Sequence, residues 1–155
     1  MKEKIDTILE RFLIFIMTVL VIDVLWQVLS RYVLSSPSSF TDELAGFLLI
    51  WVGVFGAAYV TGKREHLAID LLIQKSSPER QVKLIFIVNL IIALFAIFVM
   101  IIGGTWLVIT RFRFEVSSAA LHLPLGYVYS VLPLSGIIML YYSLYFMFSK
   151  NQEGA

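Results

Sequence analysis

The first groups in this sequence that could do chemistry are four polar side chains inside an otherwise apolar run. Asp23 is followed by Gln27, Ser30 and Arg31 at i+4, i+7 and i+8, which places all four on one stripe of a helix. A charged side chain near the centre of a membrane span costs about 2.5–3.5 kcal/mol. This stripe is therefore expected to face another helix, a partner protein or water. Three readings are open: a structural hydrogen-bond network, a proton or ion relay, and a contact between subunits.

A second polar set sits at the ends of apolar runs. Thr41-Asp42-Glu43 opens one run, and Arg111, Arg113 and Glu115 close another. Carboxylates in a first helical turn favour the helix dipole and satisfy free backbone N–H groups. The sharper alternative pairs Asp42 and Glu43 with Arg31, or presents Asp42, Glu43, Arg111 and Arg113 as a charged rim on which a protein docks.

Other chemistries are excluded more easily. The chain has no cysteine, so disulfides and zinc–thiolate sites do not arise. Its histidines are His66 and His122, and both fall outside the apolar runs, where neither can be an axial haem ligand within a bundle. No Ser-His-Asp set, glycine-rich phosphate loop, catalytic carboxylate pair or metal-spaced cluster occurs. No enzymatic activity, cofactor or metal is expected. Trp26, Trp51 and Trp106 read as packing or interfacial aromatics, and Asn89 as a group that satisfies a neighbouring helix.

The elements that hold these residues follow from composition. Of 155 residues, 59% are hydrophobic and 15% charged, with a mean hydropathy of +0.89. A soluble domain is nearer half apolar and a quarter charged. The excess lies in long runs, as a bilayer requires at about 20 residues per span. The sequence predicts an all-α integral membrane protein, one domain over 1–155, with spans at 12–34, 41–61, 82–110 and 126–148. The first run is too long for a signal peptide core of about 7–15 residues. It also lacks a small-x-small cleavage site, so it is expected to be retained. The pair Gly103-Gly104 in the third run suits close packing or a local bend. A net charge of +1 argues neither for nor against nucleic acid, but the basic residues sit in short segments between apolar runs, so no nucleic-acid partner is expected.

Basic residues near the span ends set the orientation. Lys2, Lys4, Arg11, Lys63, Arg64, Lys75, Arg80 and Lys150 outnumber Arg31, Arg111 and Arg113 on the opposite side. The N-terminus, the middle loop and the C-terminus are thus expected in the cytoplasm. Within the middle loop, residues 66–73 are apolar yet too short to span. Their basic flanks suit a segment lying in the interface against anionic lipid. Ser77-Pro78 then reads as the start of the third helix, with Ser77 as its N-cap.

An ordered series of motifs adds to this reading. Arg31-Tyr32, Thr41-Asp42-Glu43-Leu44-Ala45, Trp51, Gly56 and Glu65-His66-Leu67-Ala68-Ile69-Asp70 occur in that order. Leu123-Pro124-Leu125-Gly126-Tyr127-Val128-Tyr129 and Leu132-Pro133-Leu134-Ser135-Gly136 follow near the end. The series resembles the small membrane subunit of tripartite ATP-independent periplasmic (TRAP) transporters, over nearly the whole chain. The family-like positions are Trp51, Gly56, His66, Asp70, Pro124, Tyr127 and Pro133. Gly46 departs from the pattern, which has an arginine after the Asp-Glu-Leu-Ala run.

The resemblance implies a bacterial inner-membrane subunit of a sodium-coupled system for organic acids such as dicarboxylates or sialic acids. Its partners would be a large membrane subunit, which holds the sodium and substrate sites and moves them like an elevator, and a periplasmic substrate-binding protein. The small subunit would be a fixed wall enlarging the large subunit's scaffold, with the Asp23 stripe as polar glue and the outer rim as a docking patch. Two alternatives stand beside it: a small homodimeric exporter of cations built on Asp23, and a membrane anchor for an unrelated complex.

Overall fold

The computed structural model describes residues 2–36, 38–63 and 78–148. It consists of α1 (Lys2–Tyr32), α2 (Ser39–Lys63), α3 (Pro78–Phe95), a π-helical stretch (Ala96–Gly103), α4 (Gly104–Arg113), α5 (Leu125–Tyr129) and α6 (Val131–Phe148). Among the described residues four runs are long and apolar enough to cross a membrane: Lys2–Tyr32, Ser39–Lys63, Arg80–Arg113 and Leu125–Phe148. The all-helical, four-span class read from the sequence is the class observed. The segment 66–73, with His66 and Asp70, and the Ser77 cap lie outside the described residues.

Helix α1 starts ten residues before the apolar run that announced it, at Lys2 rather than Phe12. Its 31 residues reach about 46 Å at 1.5 Å per residue, against a hydrocarbon layer of about 30 Å. The early polar turns are held by tertiary contacts. Asp6 pairs with Lys2 at 3.4 Å and accepts a hydrogen bond from the hydroxyl of Tyr142 on α6. The Lys2 ammonium also sits 5.4 Å from the centre of the Phe146 ring.

Beyond that clasp, α1 packs on α2 alone along most of its length. Its buried residues are Leu9, Ile16, Asp23 and Ser30, one in every seven. That period is the mark of a narrow seam between two helices. The seam explains a departure from the sequence reading: Asp23 and Ser30 are buried and Gln27 is half-buried, whereas Arg31 is exposed and leaves the stripe. Phe12 anchors the seam, edge-on to Phe55 at 5.4 Å and tilted against Trp51 at 6.3 Å.

Helix α6 is the centre of the molecule, packed by α2 on one side and by α3 and the π-helical stretch on the other. The core gathers Phe55 and Ala58 of α2, Ala96 and Met100 of the π-helical stretch, and Val131 and Met139 of α6. Two glycines bring these helices together. A Cβ at Gly136 would lie 2.7 Å from that of Met100, and one at Gly104 would lie 2.8 Å from that of Leu132. Close packing, foreseen for the Gly103-Gly104 pair, is thus the use of Gly104. The wide turns that precede it are a π-helical stretch of eight residues.

The fourth span is two helices. Pro133 has no N–H to reach back to Tyr129, and the helix is interrupted at Ser130 between α5 and α6. Asn89 also differs from expectation. It is buried, yet its side-chain amide donates to Ile85 O of its own helix at 2.8 Å instead of to a neighbour. Local back-bonding is the nearer option for a short amide side chain.

Candidate functional site

The polar groups converge at one end of the bundle, where the α1–α2 turn meets the segment 114–124. Ser38 caps α2: its hydroxyl accepts from Thr41 N at 3.4 Å, while the Thr41 hydroxyl donates to Ser38 O at 3.0 Å. With Ser38 in that role, the carboxylates of the first turn are free to reach elsewhere. Asp42 accepts a hydrogen bond from Gln27 and ties the tops of α1 and α2 together.

Glu43 reaches further. Its Oε1 accepts from Ala119 N at 2.9 Å, and its Oε2 from Ala120 N at 2.9 Å and Leu121 N at 2.8 Å. Three successive backbone N–H groups therefore close on one carboxylate, a geometry that suits an anion. The segment that supplies them is itself folded back. Ser117 and Pro124 form an antiparallel bridge. Ser118 N donates to Leu123 O and Leu125 N to Val116 O, each at 2.9 Å. Left-handed residues at Glu115 and His122, each with φ near 51°, turn the chain at both ends of this small loop. Ser35, with the same φ, turns the α1–α2 connection.

The arginines behave differently. Among the described residues Asp42 and Glu43 make no ion pair with Arg31, so the sequence-level pairing across the short loop does not form. Arg31 and Arg113 are exposed. Arg111 lies over the Tyr129 ring at 5.7 Å, with its Nε buried and lacking an acceptor. The rim thus divides into acids hydrogen-bonded to neighbouring segments, an Arg111 held against Tyr129, and an exposed Arg31 and Arg113.

Aromatic groups frame this end. Tyr127 meets Phe112 edge-on at 5.0 Å, and Tyr32, Tyr127, Phe114 and Trp106 are exposed, as residues at a membrane boundary are. Trp51 donates its indole N–H to Val128 O at 3.0 Å and fixes α2 to α5. Pro124 ends the small loop, Pro133 packs on Gly104, and Gly56 has open space before it. Among the described residues no His, Cys, Asp and Glu cluster could hold a metal. The arrangement offers a rigid surface of guanidinium donors and aromatic edges.

Sequence reasoning missed two of these features. The acceptor role of Glu43 left no sign, because its donors are main-chain groups 76–78 positions away. The Asp6–Tyr142 clasp was hidden in the same manner, over 136 positions.

Comparison with known proteins supplies the affiliation. The family described as "Tripartite ATP-independent periplasmic transporters, DctQ component" matches residues 20–152. A Haemophilus influenzae protein assigned as a TRAP transporter small permease protein is 28% identical over 137 residues, covering 87% of this chain and 82% of that one. The sialic acid TRAP transporter permease protein SiaT, also of Haemophilus influenzae, is 44% identical over 46 residues, which is 30% of this chain and 8% of SiaT. A family match over most of the chain and four membrane-spanning helices agree: the chain belongs to the DctQ component of the tripartite ATP-independent periplasmic transporters, as a multi-pass small permease subunit of the inner membrane.

Proposed function

We propose that the chain is the stationary small subunit of a sodium-coupled, binding-protein-dependent transporter for organic acids. It packs against the scaffold of a large membrane subunit, enlarges that frame within the lipid, and helps to dock a periplasmic substrate-binding protein. The N-terminus, the middle loop and the C-terminus face the cytoplasm, following the distribution of basic residues. The end that bears Glu43 and the 114–124 loop then faces the periplasm.

The observation that carries this reading is the cross-bracing of that end. Asp42 and Glu43 join α1, α2 and the 114–124 loop into one surface, from which Arg31 and Arg113 project. A docking face benefits from being preorganised, because less ordering entropy is lost on binding. The long helices with exposed apolar sides suit a frame. The stretch shared with a protein named for sialic acid transport supports an acidic solute. The exporter alternative rested on four spans with Asp23 in the first and has no comparable support.

Reconstitution tests the proposal. Proteoliposomes holding this chain and the large subunit, given the binding protein and an inward sodium gradient, should accumulate an organic acid, and omission of this chain should abolish uptake. Arg31→Glu with Arg113→Glu should lower uptake several-fold while the two membrane subunits still copurify. Unchanged uptake by that double variant would remove the docking role.

A further inference from the structure

Glycine inside a helix is destabilising relative to alanine, and in membranes its common use is to let two backbones approach. Within this chain several glycines serve that end. A Cβ at Gly62, Gly104 or Gly136 would lie 2.6–2.8 Å from Tyr142, Leu132 or Met100. Helix α2 carries three others, Gly46, Gly53 and Gly56, each with nothing within 4 Å of where a Cβ would stand. Gly46 and Gly53 are exposed and seven positions apart, so they share one side of α2.

Asp23 is an independent observation on the neighbouring helix. It is 7% exposed, and its Oδ2 is buried with no hydrogen-bond partner. Gln27 and Asp42 form one rung of the antiparallel α1–α2 pair. One turn deeper, the corresponding positions are Asp23 and Gly46. Neither helix supplies a cation at that depth: no Lys or Arg occurs between Phe12 and Ser30, or between Ser39 and Thr61.

We infer that a transmembrane helix of the large membrane subunit crosses α2 over Gly46 and Gly53 and delivers an arginine or lysine side chain to Asp23. This rests on the reading that the chain assembles with such a subunit. The seven-residue spacing of the glycines suits a shallow left-handed crossing, near 20°. A lipid tail would fill the open space, yet it has no donor for the carboxylate. A lipid ammonium stays at the surface, whereas Asp23 lies nine residues, about 14 Å, inside the end of α1.

The test is copurification of the chain with its large subunit after coexpression, in wild type, Asp23→Asn and Gly53→Leu. The asparagine reproduces a protonated carboxyl without the charge, and the leucine enters open space, so helicity and monodispersity should be unaltered. The yield of large subunit should fall at least tenfold in each variant. Wild-type yield from Asp23→Asn would overturn the ion pair, and wild-type yield from Gly53→Leu would overturn the helix crossing. Because the chain has no cysteine, Gly53→Cys also gives a single crosslinking position. Capture of the large subunit supports the proposal; capture of a second copy of this chain, or of lipid probe alone, overturns it. Failure of the wild-type chain to copurify would instead reject the assembly reading on which the proposal rests.

Discussion

Gly62→Ala should destabilise the bundle severely for the addition of one methyl group. The new Cβ would lie 2.6 Å from Cζ of Tyr142, with the adjacent ring carbons at 2.8 and 2.9 Å. Ordinary carbon contacts are about 3.5–4.0 Å, so the ring must retreat by roughly 1 Å. Tyr142 is fully buried, and its hydroxyl is tethered to Asp6. The ring either stays and is overpacked, at about 1–3 kcal/mol, or moves and loses a hydrogen bond to a charged group, at about 1.5–3 kcal/mol. A net loss of about 2–4 kcal/mol follows from some of each. Tyr142→Phe releases the tether, so the same alanine should cost only about 1 kcal/mol in that background, a coupling of about 1–3 kcal/mol. Unfolding in mixed micelles by added SDS, followed by circular dichroism, measures all four corners of the cycle. Wild-type stability for Gly62→Ala, or additivity within about 0.3 kcal/mol, would refute the argument.

Three further outcomes are expected. Glu43→Gln replaces one accepting oxygen with an amide NH2 that can only donate, so amide exchange at Ala119, Ala120 and Leu121 should accelerate at least tenfold while the middle of α2 is unaffected; unchanged exchange would deny the carboxylate its bracing role. Trp51→Phe removes the donor to Val128 O and should cost about 1–3 kcal/mol in the same SDS titration, whereas no loss would mean that α5 is held by other contacts. Asn89→Leu should leave stability within about 0.5 kcal/mol of wild type or raise it, because the amide serves only its own helix; a loss above about 2 kcal/mol would reinstate a partner on a neighbouring helix.

The parts of this fold that sequence could announce are those that local pattern encodes. Long apolar runs state four spans, because a bilayer imposes a minimum length on each. A helical-wheel stripe placed Arg31 beside Asp23, but α1 buries one residue in seven, and a seam that narrow leaves i+8 outside. The early turns of α1 looked polar and independent, since the side chain that secures Asp6 stands near the other end of the chain. What Gly104 and Gly136 meet across a helix interface is likewise a feature that no one-dimensional period records. At the candidate docking face, the four charged residues were legible as a group. That Glu43 is bound within the chain while Arg113 is exposed could be seen only with the main chain of residues 119–121 in place.

The span between Glu43 and its donors also has a meaning in time. The carboxylate emerges 76–78 residues before the amides that surround it. At a synthesis rate of about 5–20 residues per second, it waits roughly 4–16 s for them. During biogenesis the first hairpin must therefore remain hydrated at its tip until the third helix has threaded the bilayer, and the finished turn is a late product of translation.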